Sequence, residues 1–254
     1  MRNYRAYFII SICLLFLSSC VSRKKIVYLE NIEQKDSYTV AKQEVKLQPD
    51  DLINIIISAE NPEVTVPFNL PQIQGNYDIN DKQSAIKTYL INTEGYIEYP
   101  VIGKIKLGGL YRSEAIALLR QKVSEYIKNP TINLRILNYK ISVLGEVVKP
   151  GSYTIQGERI TVLEALSLAG DMTIYGRRNN VLVIHEEDGK KTYQRFDMTK
   201  SDMLDLKNYY LSQNDVVFVE QNKTRINNSA VGQNTTVMLS GLTVILSLIL
   251  ILKS

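Results

Sequence analysis

The sequence predicts an α+β protein: two small mixed modules in series, followed by a C-terminal membrane-crossing helix. Three observations predict it. From Val45 to Tyr139 the patterns run strand, hairpin, helix, strand; from Ile141 to Glu220 they run strand, strand, short helix, then further strands; and Thr235 to Leu252 holds eighteen residues without a charge.

In the first module, Pro49-Asp50-Asp51 precedes an isoleucine-rich run ending at Ile57, the pattern of a turn leading into a strand. Residues 61–87 contain Pro62, Pro67, Pro71 and Gly75 with few apolar pairs, and read as a long loop. Tyr89 to Gly103 holds two β-prone runs around Glu94-Gly95, a hairpin signal. Ala115, Ile116, Leu118, Leu119, Val123 and Ile127 recur at three and four residues, which predicts a helix over 111–128. Tyr111 at its start offers no clear side-chain cap, and Asn129-Pro130 ends it, because the residue before proline avoids the helical region. Thr131 to Tyr139 then alternates as a half-buried strand does.

In the second module, Ile141 to Ile155 reads as strand, turn, strand, with Pro150 and Gly151 suited to the central positions of a type II turn. Thr161 and Glu164 have the spacing of a capping box, and Gly170 supplies a C-terminal stop, so a short helix lies between them. Asn180–His185 and Lys191–Phe196 are strands around Asp188-Gly189, and Asp215–Glu220 is the last strand. A mixed sheet wrapped on one helix is the arrangement of a β-grasp domain.

The two ends point to a membrane. Arg2 and Arg5 precede an apolar stretch from Tyr7 to Leu17, closed by Ser18-Ser19-Cys20. That stretch is shorter than the ~20 residues a bilayer requires, so it reads as an export signal. Small residues directly before a cysteine resemble the bacterial lipobox, which makes Cys20 the lipid attachment site; the plainer alternative is a buried cysteine. Cys13 is removed with the signal, so the mature chain keeps Cys20 alone and has no internal disulfide. At the far end, 235–252 as a helix would be about 27 Å long, near the ~30 Å hydrocarbon core. A buried core helix is the alternative, but the polar run 221–234 before it favours a membrane span. Thr236, Ser240, Thr243 and Ser247 fall on one narrow stripe of that helix. They are pore-lining candidates if the stripe faces water, and packing residues if it faces neighbouring helices.

The chemistry of the chain argues against catalysis. His185 is the single histidine, there is no Gly-x-Ser-x-Gly stretch, and Cys20 is committed to lipid. His185 reads as a satisfied strand-end histidine rather than a base. Asp50-Asp51 and Glu186-Glu187 are adjacent pairs, which a strand sends to opposite faces, a poor arrangement for glycosidic cleavage. No metal cluster, phosphate loop or dinucleotide fingerprint is present, so no cofactor is expected beyond the covalent lipid. Removing Arg2 and Arg5 with the signal lowers the formal charge from +4 to +2, which gives no support for nucleic-acid binding.

The segments LQPDDLINIII, YLINTEGYIEYPVIGKIKLGGLYRSEAIALLRQKV, NPTINLRIL and VLGEVVKPGSYTIQGERITVLEALSLAG resemble the outer-membrane polysaccharide export family, the Wza-like proteins of capsule and exopolysaccharide secretion. The resemblance runs from about Val45 to Glu220, in family order and spacing, and its second part resembles the soluble-ligand-binding β-grasp domain. Asp171-Met172, Gly176 to Val181 and Asn214 to Val217 look most like members from Bacteroidetes. The resemblance implies a lipid-anchored homo-oligomer, octameric in many relatives, with its soluble domains in the periplasm and C-terminal helices through the outer membrane. Its implied partners are the polysaccharide and an inner-membrane co-polymerase linked to a tyrosine kinase. Three features depart from the family. Tyr111 stands where a threonine often begins the first helix. Pro49-Asp50-Asp51 stands where Pro-Gly-Asp is usual, which leaves the turn type open, and there is room for one β-grasp domain where longer relatives have more. The expected division is a signal peptide over 1–19, a lipidated tether over 20–40, an export domain over 41–140, a β-grasp domain over 141–222, a polar linker over 223–234 and a membrane helix over 235–252. The competing readings are a ligand-binding envelope lipoprotein with a C-terminal anchor and no pore, and, more remotely, a glycan-processing enzyme.

Overall fold

The computed structural model describes residues 26–32, 44–69, 88–187, 189–206, 209–230, 240–245 and 247. Its first module is built on a three-stranded antiparallel sheet in which β1 (Leu52–Ser58) lies between β2 (Tyr89–Leu90) and β5 (Thr131–Ile136). Alternation along β1 sends Ile53, Ile55 and Ile57 inward. Helix α1 (Arg112–Val123) covers that face with Ala115, Leu119 and Val123, one per turn, and Ile127 continues the line. At its start the Glu114 carboxylate accepts the Tyr111 backbone N–H at 2.8 Å. The helix stops at Val123, short of the predicted Lys128, where the Ser124 hydroxyl donates to the Arg120 carbonyl and Asn129 takes a φ of +50°.

The predicted hairpin around Glu94-Gly95 is corrected by the pairing. Asn92 and Tyr96 do close a turn there, with Gly95 at φ +87°. However, β3 (Tyr96–Tyr99) pairs with β4 (Gly103–Lys106), while β2 pairs with β1. The two glycines that meet across the turn explain the change: a Cβ on Gly108 would stand 2.6 Å from Gly95 Cα. This close approach folds the chain after the turn into a separate two-stranded sheet.

The second module is a five-stranded mixed sheet in the order β10 (Lys190–Phe196), β9 (Gly176–Glu187), β12 (Val216–Gln221), β6 (Lys140–Gly145) and β7 (Gly151–Thr154). Strands β12 and β6 are parallel and central; every other pair is antiparallel. Val143, Val181, Val183, Val217 and Val219 point to the inner face, where Ala165 and Leu166 of α2 (Val162–Leu168) pack on them. A two-stranded sheet of β8 (Ile160–Thr161) and β11 (Tyr210–Leu211) precedes that helix. Its capping box is present: Thr161 Oγ1 accepts Glu164 N–H at 3.2 Å, and the Glu164 carboxylate accepts Thr161 N–H at 2.7 Å. Gly170 follows the helix at φ +75°.

Pro150 and Gly151 do not form the predicted type II turn. Gly151 has no positive φ; it opens β7 and pairs with Val143. The loop before it is instead held to the far end of α2, with Val148 N–H donating to Asp171 O and Lys149 N–H to Ala169 O. The left-handed residue is Gly145, at φ +91°, where a Cβ would stand 2.1 Å from the Val219 carbonyl oxygen.

Two stretches also differ from the expectation. Residues 26–32, within the expected tether, lie on the second module: Leu29 N–H donates to Met198 O, Glu30 N–H donates to Thr199 O, and Ser201 N–H donates to the Asn31 side chain. Tyr28 and Leu29 supply the apolar contact that holds them there. Lys223–Ala230, in the expected linker, forms a helix (α3), begun where Asn222 Oδ1 accepts Arg225 N–H at 2.9 Å.

Replacing Gly145 with alanine is expected to cost several kcal/mol, because both its φ and its contact exclude a Cβ. Gly151→Ala meets nothing within 4 Å and should change stability by less than about 1 kcal/mol. Urea denaturation of both variants checks the contrast.

Candidate functional site

The most densely bonded polar region lies where the chain passes from β5 to β6. Leu137 N–H donates to Leu52 O at 2.8 Å. Asn138 accepts Leu52 N–H at 2.9 Å and donates to Asp50 O at 2.8 Å. Gln213, buried at 3 % exposure, reaches over from the second module. Its amide donates to Asn138 O at 2.8 Å, and its carbonyl accepts Lys140 N–H at 2.7 Å. The Tyr139 ring is buried between these contacts, with its hydroxyl donating to Leu211 O at 2.5 Å.

Two turns of the same design flank this junction, one before β1 and one before β12. In Gln48–Asp51, Asp51 Oδ2 accepts Gln48 N–H at 2.8 Å and Asp51 N–H donates back to Gln48 O. In Ser212–Asp215, Asp215 Oδ2 accepts Ser212 N–H at 2.7 Å and Asp215 N–H donates back to Ser212 O. The third residues, Asp50 and Asn214, have φ of +69° and +65°, so Asp50 adopts the conformation a glycine would take there. The signal was available in the sequence: Leu47-x-x-x-Asp51 and Leu211-x-x-x-Asp215 repeat the same spacing before an apolar strand, and all four residues are buried.

The two aspartates differ in what meets their other oxygen. Asp215 Oδ1 lies 2.7 Å from His185 Nδ1, so the chain's histidine is paired on β9. Burial pushes the Asp215 carboxyl above its ordinary value, against the pull of the His185 hydrogen bond. Asp51 Oδ1 has no partner among the described residues, and burial, opposed by the Gln48 N–H, raises its carboxyl to about 6. Among the described residues, no group of three or more His, Cys, Asp or Glu could hold a metal ion.

Beside the junction a groove of about 1040 Å³ opens between the modules. The β5 backbone at 134–137 lines one wall, the start of α1 another, and the loop 154–159 faces them. Arg112 ties the walls together: its Nε donates to Leu134 O at 2.9 Å, and its guanidinium lies 3.1 Å from Glu158.

Of the residues singled out from the sequence, Pro150 and Gly151 lie at the start of β7, away from the groove lining. Cys20 and Thr236 fall outside the described residues. Ser240, Thr243 and Ser247 lie on a helical stretch described at 240–245 and 247. There Thr243 donates to Ser240 O at 2.7 Å and Ser247 donates to Val244 O at 2.8 Å. No helix among the described residues is long and apolar enough to cross a membrane, and most of the expected span over 235–252 lies outside them.

The Asp51 carboxyl gives a pH prediction. Its folded-state pKa of about 6 is above the ordinary 3.8, so its protonated form is the one the fold favours. Stability should therefore be greatest below about pH 4 with respect to this group and decline as pH rises through 6. Asp51→Asn should flatten that decline by about 1–2 kcal/mol, read as the difference between wild type and variant in urea denaturation at pH 5 and pH 7.

Residues 39–137 match the polysaccharide biosynthesis/export protein family, and residues 139–219 match the SLBB domain. The EPS I polysaccharide export outer membrane protein EpsA of Ralstonia nicotianae is 28% identical over 177 residues, 67% of this chain and 46% of that protein. The protein of the same name from Ralstonia solanacearum is 30% identical over 129 residues, 49% of this chain and 34% of that protein. The match therefore spans less than half the length of these curated relatives. The export match ends at 137, the SLBB match begins at 139, and the clamped Asn138 lies between them, so the chain is similar to polysaccharide export proteins across both modules.

Proposed function

We propose that this protein is an outer-membrane lipoprotein, anchored through lipid on Cys20, that assembles into an oligomeric channel for capsular or extracellular polysaccharide. The observation that carries the reading is the tandem of export and SLBB matches across residues 39–219, together with similarity to relatives named for polysaccharide export at the outer membrane. The soluble modules stand in the periplasm, and an octamer is the assembly the family resemblance implies. An inner-membrane co-polymerase with its tyrosine kinase delivers the polymer. The protein guides polymer and performs no bond chemistry on it.

The C-terminal helix supports a membrane role. Leu242, Val244 and Ile245 are more than half exposed, and apolar side chains on a helix gain stability by being covered by lipid or by neighbouring copies. In the channel, the stripe Thr236, Ser240, Thr243 and Ser247 lines the water path and the leucines face lipid. One observation favours the alternative, an anchored ligand-binding lipoprotein without a pore. Thr243 and Ser247 already satisfy their hydroxyls on their own helix, so they need no water.

Two experiments separate these readings. The detergent-extracted protein should have the mass of a ring of several copies, and a monomer or dimer would support the anchor. In the ring, cysteines at 240, 243 and 247 should react with a membrane-impermeant thiol reagent while those at 242, 245 and 249 stay protected. Equal labelling of both sets would remove the water-lined helix. Separately, Cys20→Ala should abolish incorporation of labelled fatty acid and leave an unprocessed precursor; undiminished incorporation would remove Cys20 as the attachment site.

A further inference from the structure

We propose that the groove between the two modules binds acidic saccharide units, so that the polymer handled by this protein carries carboxylate groups. The inference deepens the export reading and rests on it only for the source of the ligand.

Three arginines from three separate elements line this one concavity: Arg112 from α1, Arg135 from β5 and Arg159 from the loop before β8. Two of them are positioned in advance. Arg112 is held by Leu134 O and Glu158, and Arg159 sits 5.2 Å from the centre of the Tyr210 ring. Arg135 is exposed on the strand, its neighbours Leu134 and Ile136 turning the other way. Glu44 and Glu158 are the carboxylates in the lining, and Glu158 faces Arg112. Arg135 and Arg159 have no carboxylate in ion-pair range among the described residues.

The other lining groups suit a sugar. Ser113, Thr154 and Gln156 offer hydroxyl and amide groups for ring hydroxyls. The volume of about 1040 Å³ is at the top of the ~300–1,000 Å³ range of small-molecule sites. It accommodates a short run of rings rather than a single ion. A planar guanidinium fork matches a carboxylate in two parallel hydrogen bonds, which a neutral hydroxyl cannot supply. Unpaired forks set beside hydroxyl and amide groups thus select uronate-type residues over neutral ones.

The test uses the full-length protein in detergent and measures binding of tetragalacturonate by calorimetry, against a neutral maltotetraose and an acidic tetraglutamate peptide. Tetragalacturonate should bind, with affinity falling as salt rises, and the neutral tetramer should not. The double variant Arg135→Gln/Arg159→Gln should weaken binding at least tenfold at unchanged melting temperature. Arg135→Lys, which keeps the charge and loses the fork, should fall between. Glu158→Gln, which frees Arg112, should tighten binding. Failure of tetragalacturonate to bind, equal binding by the double variant, or equal binding of maltotetraose overturns the proposal. Peptide binding as tight as the saccharide's also overturns it, leaving a charged patch without sugar selectivity. Saccharide binding by a protein whose loss leaves polymer display intact would sink the export reading and keep the groove.

Discussion

Gln213 bridges the backbone on both sides of Tyr139, while Asn138 bridges Asp50 and Leu52 on the other module. These two amide side chains hold the Leu137–Lys140 connection between the modules, and the placement of β1 and of the larger sheet's centre depends on them. Asn214 N–H also donates to Lys140 O, so the turn that starts β12 is bound to the first residue of β6. Strands β12 and β6 then run parallel at the centre of the larger sheet. In the first module, the same connection leads out of β5, whose register with β1 is continuous over six residue pairs. The groove wall and the sheet centre are therefore positioned by one short segment, Leu137 to Lys140. A buried polar network of this kind is costly when incomplete, which makes its near-complete pairing the constraint the fold obeys.

That constraint also explains why two carboxylates are buried. Asp51 and Asp215 each bind the N–H three residues back, which fixes a left-handed third residue and aims the following strand. The turn geometry is retained in both modules, although Asp215 gains His185 as a partner and Asp51 leaves one oxygen unpaired. An unpaired buried oxygen costs stability, so the turn contributes enough in strand placement to offset it.

Features that depend on nearby residues were legible in the sequence. The Thr161–Glu164 capping box, the Gly170 stop, the α1 stripe and the alternation of β5 and β12 are set by local spacing, and the structure shows them. Features that depend on distant partners were not. Pro150-Gly151 has the composition of a tight turn, but hydrogen bonds to Ala169 and Asp171 hold the loop open and leave Gly145 as the strained position. The Glu94-Gly95 turn was correctly placed, yet pairing was decided by the Gly95–Gly108 approach across it. Tyr28 and Leu29, in the apolar run Ile26–Leu29, dock on an apolar surface of the second module built from residues far along the chain, which local spacing could not show. The junction joins residues about seventy-five positions apart, and spacing alone could not show that Gln213 meets Asn138.

The proposed role uses this architecture as a guide for polymer between two membranes, with the groove recognising its charge and the chain ends meeting the bilayer. The measurement that tests it most directly is the location of polymer in a polysaccharide-producing cell from which this chain is depleted. The account predicts that surface polymer disappears while polymer accumulates in the periplasm or stalls in synthesis, and that the full chain restores display. Unchanged surface polymer after complete depletion would contradict it.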